Sequence, residues 1–256
     1  MKRLHLFEFE DQSWFPGWLR ECLTRLINVL HKLVNTEELL TKEIQKLLDQ
    51  TNYKNIVDLC SGSGGPMPEV YKKLNKDDKI SITLTDLYPD KITAGKINSL
   101  GSGLYYHKEP IDATQAIELK GVKTMISSFH HMKPMKALEI LKISQDKKQP
   151  ILIYEISDNS FPSFLWWIVI PINIITCLII TPMARPMTWQ QLVFTYLIPI
   201  IPICFAWDGA VSNARTYTDS DLKLLLSNLP KNNYRWNIFK LGEKQKKIIL
   251  TGIPLN

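Results

Sequence analysis

Cysteine is scarce in this chain of 256 residues: four occur, Cys22, Cys60, Cys177 and Cys204, far apart and with no CxxC pair. The five histidines include one adjacent pair, His130-His131, and no HExxH or Cys/His ligand spacing. Neither a disulfide framework nor a zinc motif is indicated, so no metal is expected and a reducing cytoplasm is the natural setting. Internal repeats and low-complexity linkers are also missing. No basic arm stands out, because the 31 Lys and Arg are scattered. A net charge of +6 and a pI near 9.0 then read as a solvated, mildly basic surface, and nucleic acid is not the favoured partner. The N-terminus MKRLHLFEFEDQ turns acidic too early for a signal peptide, and none is expected.

What is present divides into three parts. Up to residue 50 the pattern is helical, with Trp18, Leu19, Cys22, Leu26, Val29, Leu30 and Leu33 at three-to-four spacing and a second helix opening near Asn35-Thr36. The stretch FEFEDQSWFPGW ahead of them has two readings, a staple for the first helix or a lid over a ligand. From Asn55 short apolar runs at 56–59, 80–85, 104–107, 122–127 and 150–156 alternate with helical patterns at 68–74, 90–99, 113–120 and 134–145. Such alternation predicts a parallel sheet with helices on both faces. After a helix from Thr218-Asp219 to about Leu229, strands at 234–241 and 247–252 joined by GEKQ predict a hairpin, which ends the sheet in an antiparallel strand.

The third part is an absence of charge. Residues 159–184 carry none, and after Arg185 neither do 186–207. The runs at 164–181 and 192–207 fall short of the ~20 residues of a clean span and are interrupted by Pro171, Asn173, Pro199 and Pro202. With Trp166, Trp167, Trp189, Tyr196 and Trp207 along them, a membrane-dipping hairpin that also walls a lipophilic pocket is the favoured expectation. A two-helix anchor and a buried or dimer interface are the alternatives. Arg185, between prolines in TPMARP, sits where a side chain can snorkel to headgroups.

Chemistry concentrates in IVDLCSGSGGP, residues 56–66, where a strand runs into small residues. Backbone amides there can approach a ligand closely, at a helix N-terminus that favours negative charge. Asp58 inside the strand's end would repel a pyrophosphate but suits an amino group. Asp86 ends the next strand, where an acid can hold both hydroxyls of a ribose. Asp112-Ala113 follows the third strand, within reach of an adenine's exocyclic amine.

VDLCSGSGG, the TD of LTDLYP, IDAT and ISSFHHM, in this order, resemble class I S-adenosylmethionine-dependent methyltransferases over residues 55–156 and from 219 onward. The resemblance implies a Rossmann-like α/β fold with a mostly parallel seven-stranded sheet ending in an antiparallel strand, and S-adenosylmethionine as cofactor. It assigns Asp58, Gly62 and Gly64 to the methionine end, Asp86 with Leu87 beside it to the ribose, Asp112 and Ala113 to the adenine, and Ser128 to the reacting end. The family's first loop glycine is Cys60 here. Of the polar residues after the fourth strand, His130 and His131 are the candidate general bases. In WDGAVSNARTY, residues Trp207, Asp208, Arg215 and Tyr217 are candidates for the acceptor. Arg215 has two readings, a clasp for a carboxylate or phosphate or an internal partner of Asp208 or Asp219.

The expected organisation is a helical cap over 1–50, a Rossmann-like domain over 51–157 and 208–256, and an apolar helical insertion over 158–207. The expected function is methyl transfer to oxygen, nitrogen or sulfur of a small lipophilic acceptor, on the cytoplasmic side of a membrane by peripheral or re-entrant contact with lipid. The alternatives are a soluble methyltransferase that forms a homodimer through the insertion, and a non-catalytic membrane adaptor on a degenerate fold.

Overall fold

Seven strands form one sheet in the computed structural model, which describes residues 1, 3–75, 79–116, 119–159, 162–241 and 247–255. They are β1 (Asn55–Leu59), β2 (Ser81–Thr85), β3 (Leu104–Tyr106), β4 (Val122–Ile126), β5 (Ile151–Tyr154), β6 (Tyr234–Leu241) and β7 (Lys247–Pro254), in the order β3-β2-β1-β4-β5-β7-β6. The first five are parallel, and β7 runs antiparallel to both β5 and β6. This is the expected Rossmann-like architecture with its antiparallel end. The predicted strands end within two residues of those observed, while the GEKQ turn lies outside the described residues.

The helices are α1 (Gly17–Leu33), α2 (Thr36–Thr51), α3 (Met67–Leu74), α4 (Lys91–Ser99), α5 (Ala113–Ala116), α6 (Pro134–Asp146), α7 (Ile170–Ile180), α8 (Trp189–Leu192), α9 (Ile200–Arg215) and α10 (Asp219–Ser227). The helix expected over 113–120 is therefore the short α5, and part of the rest lies outside the described residues. One face of the sheet packs Ile56, Ile82 and Leu152 against Ile44 of α2, Val70 of α3 and Ala94 of α4. The other packs Val57, Leu59 and Met125 against Ile140 and Leu141 of α6 and Leu222 and Leu225 of α10. Central strands covered on both faces read as continuous apolar runs, as β5 does with ILIY. Local signals fix the ends: Asp90 caps α4 by accepting from the amides of Ile92 and Thr93, and Thr218 and Asp221 form a capping box on α10.

A third core joins α1 to the apolar insertion. Leu19, Cys22, Leu23 and Leu26 pack against Cys177 and Ile180 of α7 and Ile201, Cys204 and Phe205 of α9. The prolines lie at helix starts, and Pro199 sits in the break between two helical stretches. Pro171 occupies the first turn of α7 and Pro199 precedes α9, places where a missing N–H costs nothing. The helical stretch Phe164–Met183 has 20 residues and a mean hydropathy of 2.2, long and apolar enough to cross a membrane. Trp189–Leu197 and Ile200–Arg215 pass the same test together but meet at an 83° bend. α9 also runs through the boundary expected at 207/208, so the polar WDGAVSNAR is the second half of an insertion helix rather than a return to the sheet domain.

Candidate active site

A cavity of about 910 Å³ opens at the C-terminal ends of β1, β2 and β4, where the strand order reverses. The loop after β1 forms its floor. Cys60, Gly62, Gly64 and Gly65 all take positive φ there, 57°, 54°, 90° and 50°. An added Cβ would meet no clash at Gly62, Gly64 or Gly65, so it is the left-handed backbone that favours glycine in this turn. Cys60 has a side chain where the resembling family has none, and its left-handed backbone costs about 1–2 kcal/mol. Cys60→Gly removes that strain and adds roughly 0.5–1 kcal/mol of unfolded-chain entropy, so denaturant titration should show unchanged or up to about 1 kcal/mol higher stability. A clear loss would mean that the thiol's packing against the core outweighs its strain.

Asp58 lies beneath the loop, buried, and accepts from Thr124 Oγ1 at 2.5 Å and Ser61 Oγ at 2.7 Å. Burial pushes its carboxyl up to about 7 against the pull of those two hydroxyls, and the charge of Asp86 adds to the rise. Asp86 uses one carboxylate oxygen to accept from Gly62 N and the other from Tyr88 N, both at 2.7 Å. The Tyr106 hydroxyl donates to Gly62 O from the opposite side, so the loop is clamped from β2 and β3. Leu87 and Ser128 line the cavity as well.

The remaining walls differ from the expectation. Asp112 and Ala113 do not line the cavity: Asp112 caps α5 through Thr114 and pairs with Lys136 at 2.5 Å, and the loop Lys108, Glu109 and Pro110 borders the space instead. Arg20, Thr24, Asn28 and His31 of α1 roof it, with Glu10 and Asp11 of the arm ahead of that helix. The FEFEDQSWFPGW stretch is thus staple and lid at once, since Phe9 and Phe15 pack on the third core while Glu10 and Asp11 face the cavity.

The histidines also part company. His130 is buried and outside the cavity lining, with its Nδ1 on Glu155 Oε2 at 2.7 Å. His131 does line the cavity, its Nδ1 2.8 Å from Asp11 and 3.4 Å from Glu8. Burial alone would lower its pKa, but Glu8, Asp11 and Glu10 outweigh burial and hold it up at about 10. A ring held protonated in this way is a poor proton acceptor at neutral pH, and His130 does not reach the cavity lining.

None of Trp207, Asp208, Arg215 and Tyr217 lines the cavity either. They fasten the N-terminal arm to α9. Trp207 Nε1 donates to Phe7 O at 2.9 Å, and Asp208 accepts from Phe9 N at 2.7 Å. Arg215 pairs with Asp11 at 2.6 Å and Glu8 at 3.3 Å rather than with Asp208 or Asp219. Tyr217 donates to Met132 O at 2.7 Å and stacks beneath the Arg3 guanidinium. The lid reading of FEFEDQSWFPGW covered Glu10 and Asp11, but sequence pattern missed the α1 residues as cavity walls because apolar spacing marks only the core face of α1.

No family model and no curated protein sequence matches the chain. Among solved structures it is similar to the plantazolicin methyltransferase BpumL in complex with SAH, at 12% identity over 92% of this chain and 85% of that one, with a TM-score of 0.50. An O-methyltransferase family protein from Burkholderia thailandensis matches at 13% identity over 86% of this chain, which spans 59% of that protein, with a TM-score of 0.46. Magnesium protoporphyrin IX methyltransferase (ChlM) from Synechocystis PCC 6803 matches at 9% identity, over 86% and 80% of the two chains, with a TM-score of 0.46. The first likeness and the strand order together give the chain the Rossmann-like methyltransferase fold.

Proposed function

We propose that this chain transfers the methyl group of S-adenosylmethionine to oxygen, nitrogen or sulfur of a small lipophilic acceptor at a membrane surface. The observation that carries the reading is a pair of carboxyls on one cavity, Asp58 under the glycine loop and Asp86 at the end of β2, with the backbone of Gly62 between them. S-Adenosylmethionine brings a cationic amine, a ribose diol and a sulfonium whose methyl group is already activated. Asp58 offers the negative charge that an amine wants and a pyrophosphate would avoid. Asp86 keeps lone pairs for the diol beyond those spent on Gly62 and Tyr88. The loop at Lys108–Pro110 takes the adenine side in place of Asp112, and Ser128 stands toward the reacting end. The SAH in the methyltransferase of the same fold agrees with this choice of ligand. Because methyl transfer is an in-line displacement, the residues' main contribution is to hold donor and acceptor in line and keep water out.

The acceptor half of the reading rests on α1. One side of this helix roofs the cavity through Arg20, Thr24 and Asn28, and its other side packs on the insertion. Away from α1 the insertion presents Phe164, Trp167, Ile172, Ile175, Ile179 and Leu197 to the outside, with Ile179 68% and Leu197 77% exposed. So many exposed large apolar side chains on one insertion call for lipid or a partner. A lipophilic acceptor collected there would be one helix away from the cavity.

The cofactor reading is tested by pH. Asp58 is neutral below its pKa of about 7 and ionised above it. The ionised carboxyl binds the cationic amine, so affinity for S-adenosylmethionine should be greatest between the carboxyl's pKa of about 7 and that of the ligand's amine, about 8. It should fall toward about tenfold per unit below 7, with proton release on binding. Calorimetry from pH 6 to 9 reads this, and Asp58→Asn should flatten the profile at the weak end. A flat wild-type profile removes Asp58 from the site, and no binding at any pH overturns the function.

A further inference from the structure

Beside the cavity, on the side away from the glycine loop, three potential ligand residues converge from distant parts of the chain. Glu8, His130 and His131 each offer a donor atom, and the three atoms lie within 4.8 Å of one another. Two of these residues have an atom already used and a second left over. Glu8 Oε1 accepts from Ser212 Oγ at 3.2 Å and faces Arg215 at 3.3 Å, while the fully buried Glu8 Oε2 has no hydrogen bond among the described residues and only His131 Nδ1 opposite it at 3.4 Å. His130 Nδ1 is engaged by Glu155 at 2.7 Å, while the buried Nε2 also lacks a partner. Buried polar atoms without hydrogen bonds are costly and uncommon, and two of them beside the His131 ring ask for a group that satisfies both.

We infer that Glu8, His130 and His131 form a binding site for a divalent transition-metal ion of the Zn²⁺ class. A carboxylate that holds the far nitrogen of an imidazole is the usual support of a metal-bound histidine, and Glu155 holds His130 in that way. Two imidazoles and one carboxylate suit zinc, cobalt, nickel or iron(II) rather than magnesium or calcium, which prefer oxygen throughout. Bonds of about 2.0–2.2 Å place tetrahedral donors roughly 3.4 Å apart, so donors within 4.8 Å of one another need to close by up to about 1.4 Å. The surroundings tolerate the charge. Glu8, Glu10, Asp11, Glu155 and Asp208 supply five carboxyls against the two guanidiniums of Arg3 and Arg215, which already bind backbone oxygens or these same acids. The ion takes the place of the ring proton of His131 as the cation among them. It ties the N-terminal arm to the loop after β4 and stands behind the cavity wall that His131 forms. No sequence spacing signals the site because the arm brings Glu8 to the histidines only in the fold.

The full chain, stripped with a chelator and without S-adenosylmethionine, is titrated with Zn²⁺ or Co²⁺. The expected result is one ion per chain by elemental analysis, the visible absorption bands of low-coordinate Co²⁺, and a rise in melting temperature with metal concentration. Glu8→Gln and His131→Ala should each weaken uptake at least tenfold, and Glu155→Gln, which acts through His130, about 10–100-fold. Circular dichroism identifies any variant that fails to fold. His131→Ala changes a partly exposed residue and serves where the buried positions do not tolerate change. Failure of the folded wild type to bind either ion overturns the site, as does undiminished one-to-one binding in the folded His131→Ala variant. Because the titration omits S-adenosylmethionine, its outcome is independent of the methyltransferase reading.

Discussion

Asp86→Ala should weaken S-adenosylmethionine binding by roughly ten- to hundredfold, the loss that corresponds to about 1.5–3 kcal/mol for hydrogen bonds to a charged group. The effect has two physical parts. The ribose loses its acceptor, and the glycine loop loses the carboxylate that holds Gly62 N and Tyr88 N at 2.7 Å. Asp86→Asn separates them, since its amide oxygen can still accept one of those amides but brings no charge. Calorimetry on the folded variants measures both. Unchanged affinity in Asp86→Ala would remove Asp86 from the cofactor site.

Replacing Phe164, Trp167 and Trp189 together by Ser should release the protein from anionic vesicles while leaving cofactor affinity intact. These side chains are 74%, 53% and 65% exposed, so their loss opens no core, and the sheet and cavity are built from other residues. Each large apolar side chain moved from water into lipid contributes about 1.5–3 kcal/mol, so the triple change should lower vesicle binding by several orders of magnitude. The wild type should need detergent and float with liposomes, more strongly when they are anionic, because Arg185 and the basic surface add attraction. Turnover on a lipophilic acceptor should fall with membrane binding. A wild type that stays monodisperse without detergent and ignores vesicles would sink the membrane reading. A stable dimer dispersed by the same three substitutions would assign the face to a second copy of the chain.

Much of this protein was legible from local pattern. Strand-helix alternation located the sheet, and Thr218-Asp219 marked a helix start that the structure keeps. The glycine loop, Asp58 and Asp86 reached the cavity because a strand-to-helix turn fixes its own geometry over a few residues. The apolar insertion announced itself through its missing charges. Its prolines acted in two ways, since Pro171 sits in the first turn of a continuous helix whereas Pro199 lies at the 83° break between two helices, as its interruption of the apolar run suggested.

Tertiary structure decided the polar residues outside that turn. Asp112 stood in the expected motif position, yet Lys136 of α6 captured it. Arg215 had several acids nearby in sequence, and the arm's Asp11 and Glu8 took it instead. The two adjacent histidines received opposite surroundings, His130 buried on Glu155 and His131 among the arm's acids at the cavity wall. The reason is common to all of them. Backbone geometry and apolar periodicity act between near neighbours and can be read along the chain, whereas a long charged or titratable side chain takes its role from whichever distant element brings an opposite charge within about 3–4 Å.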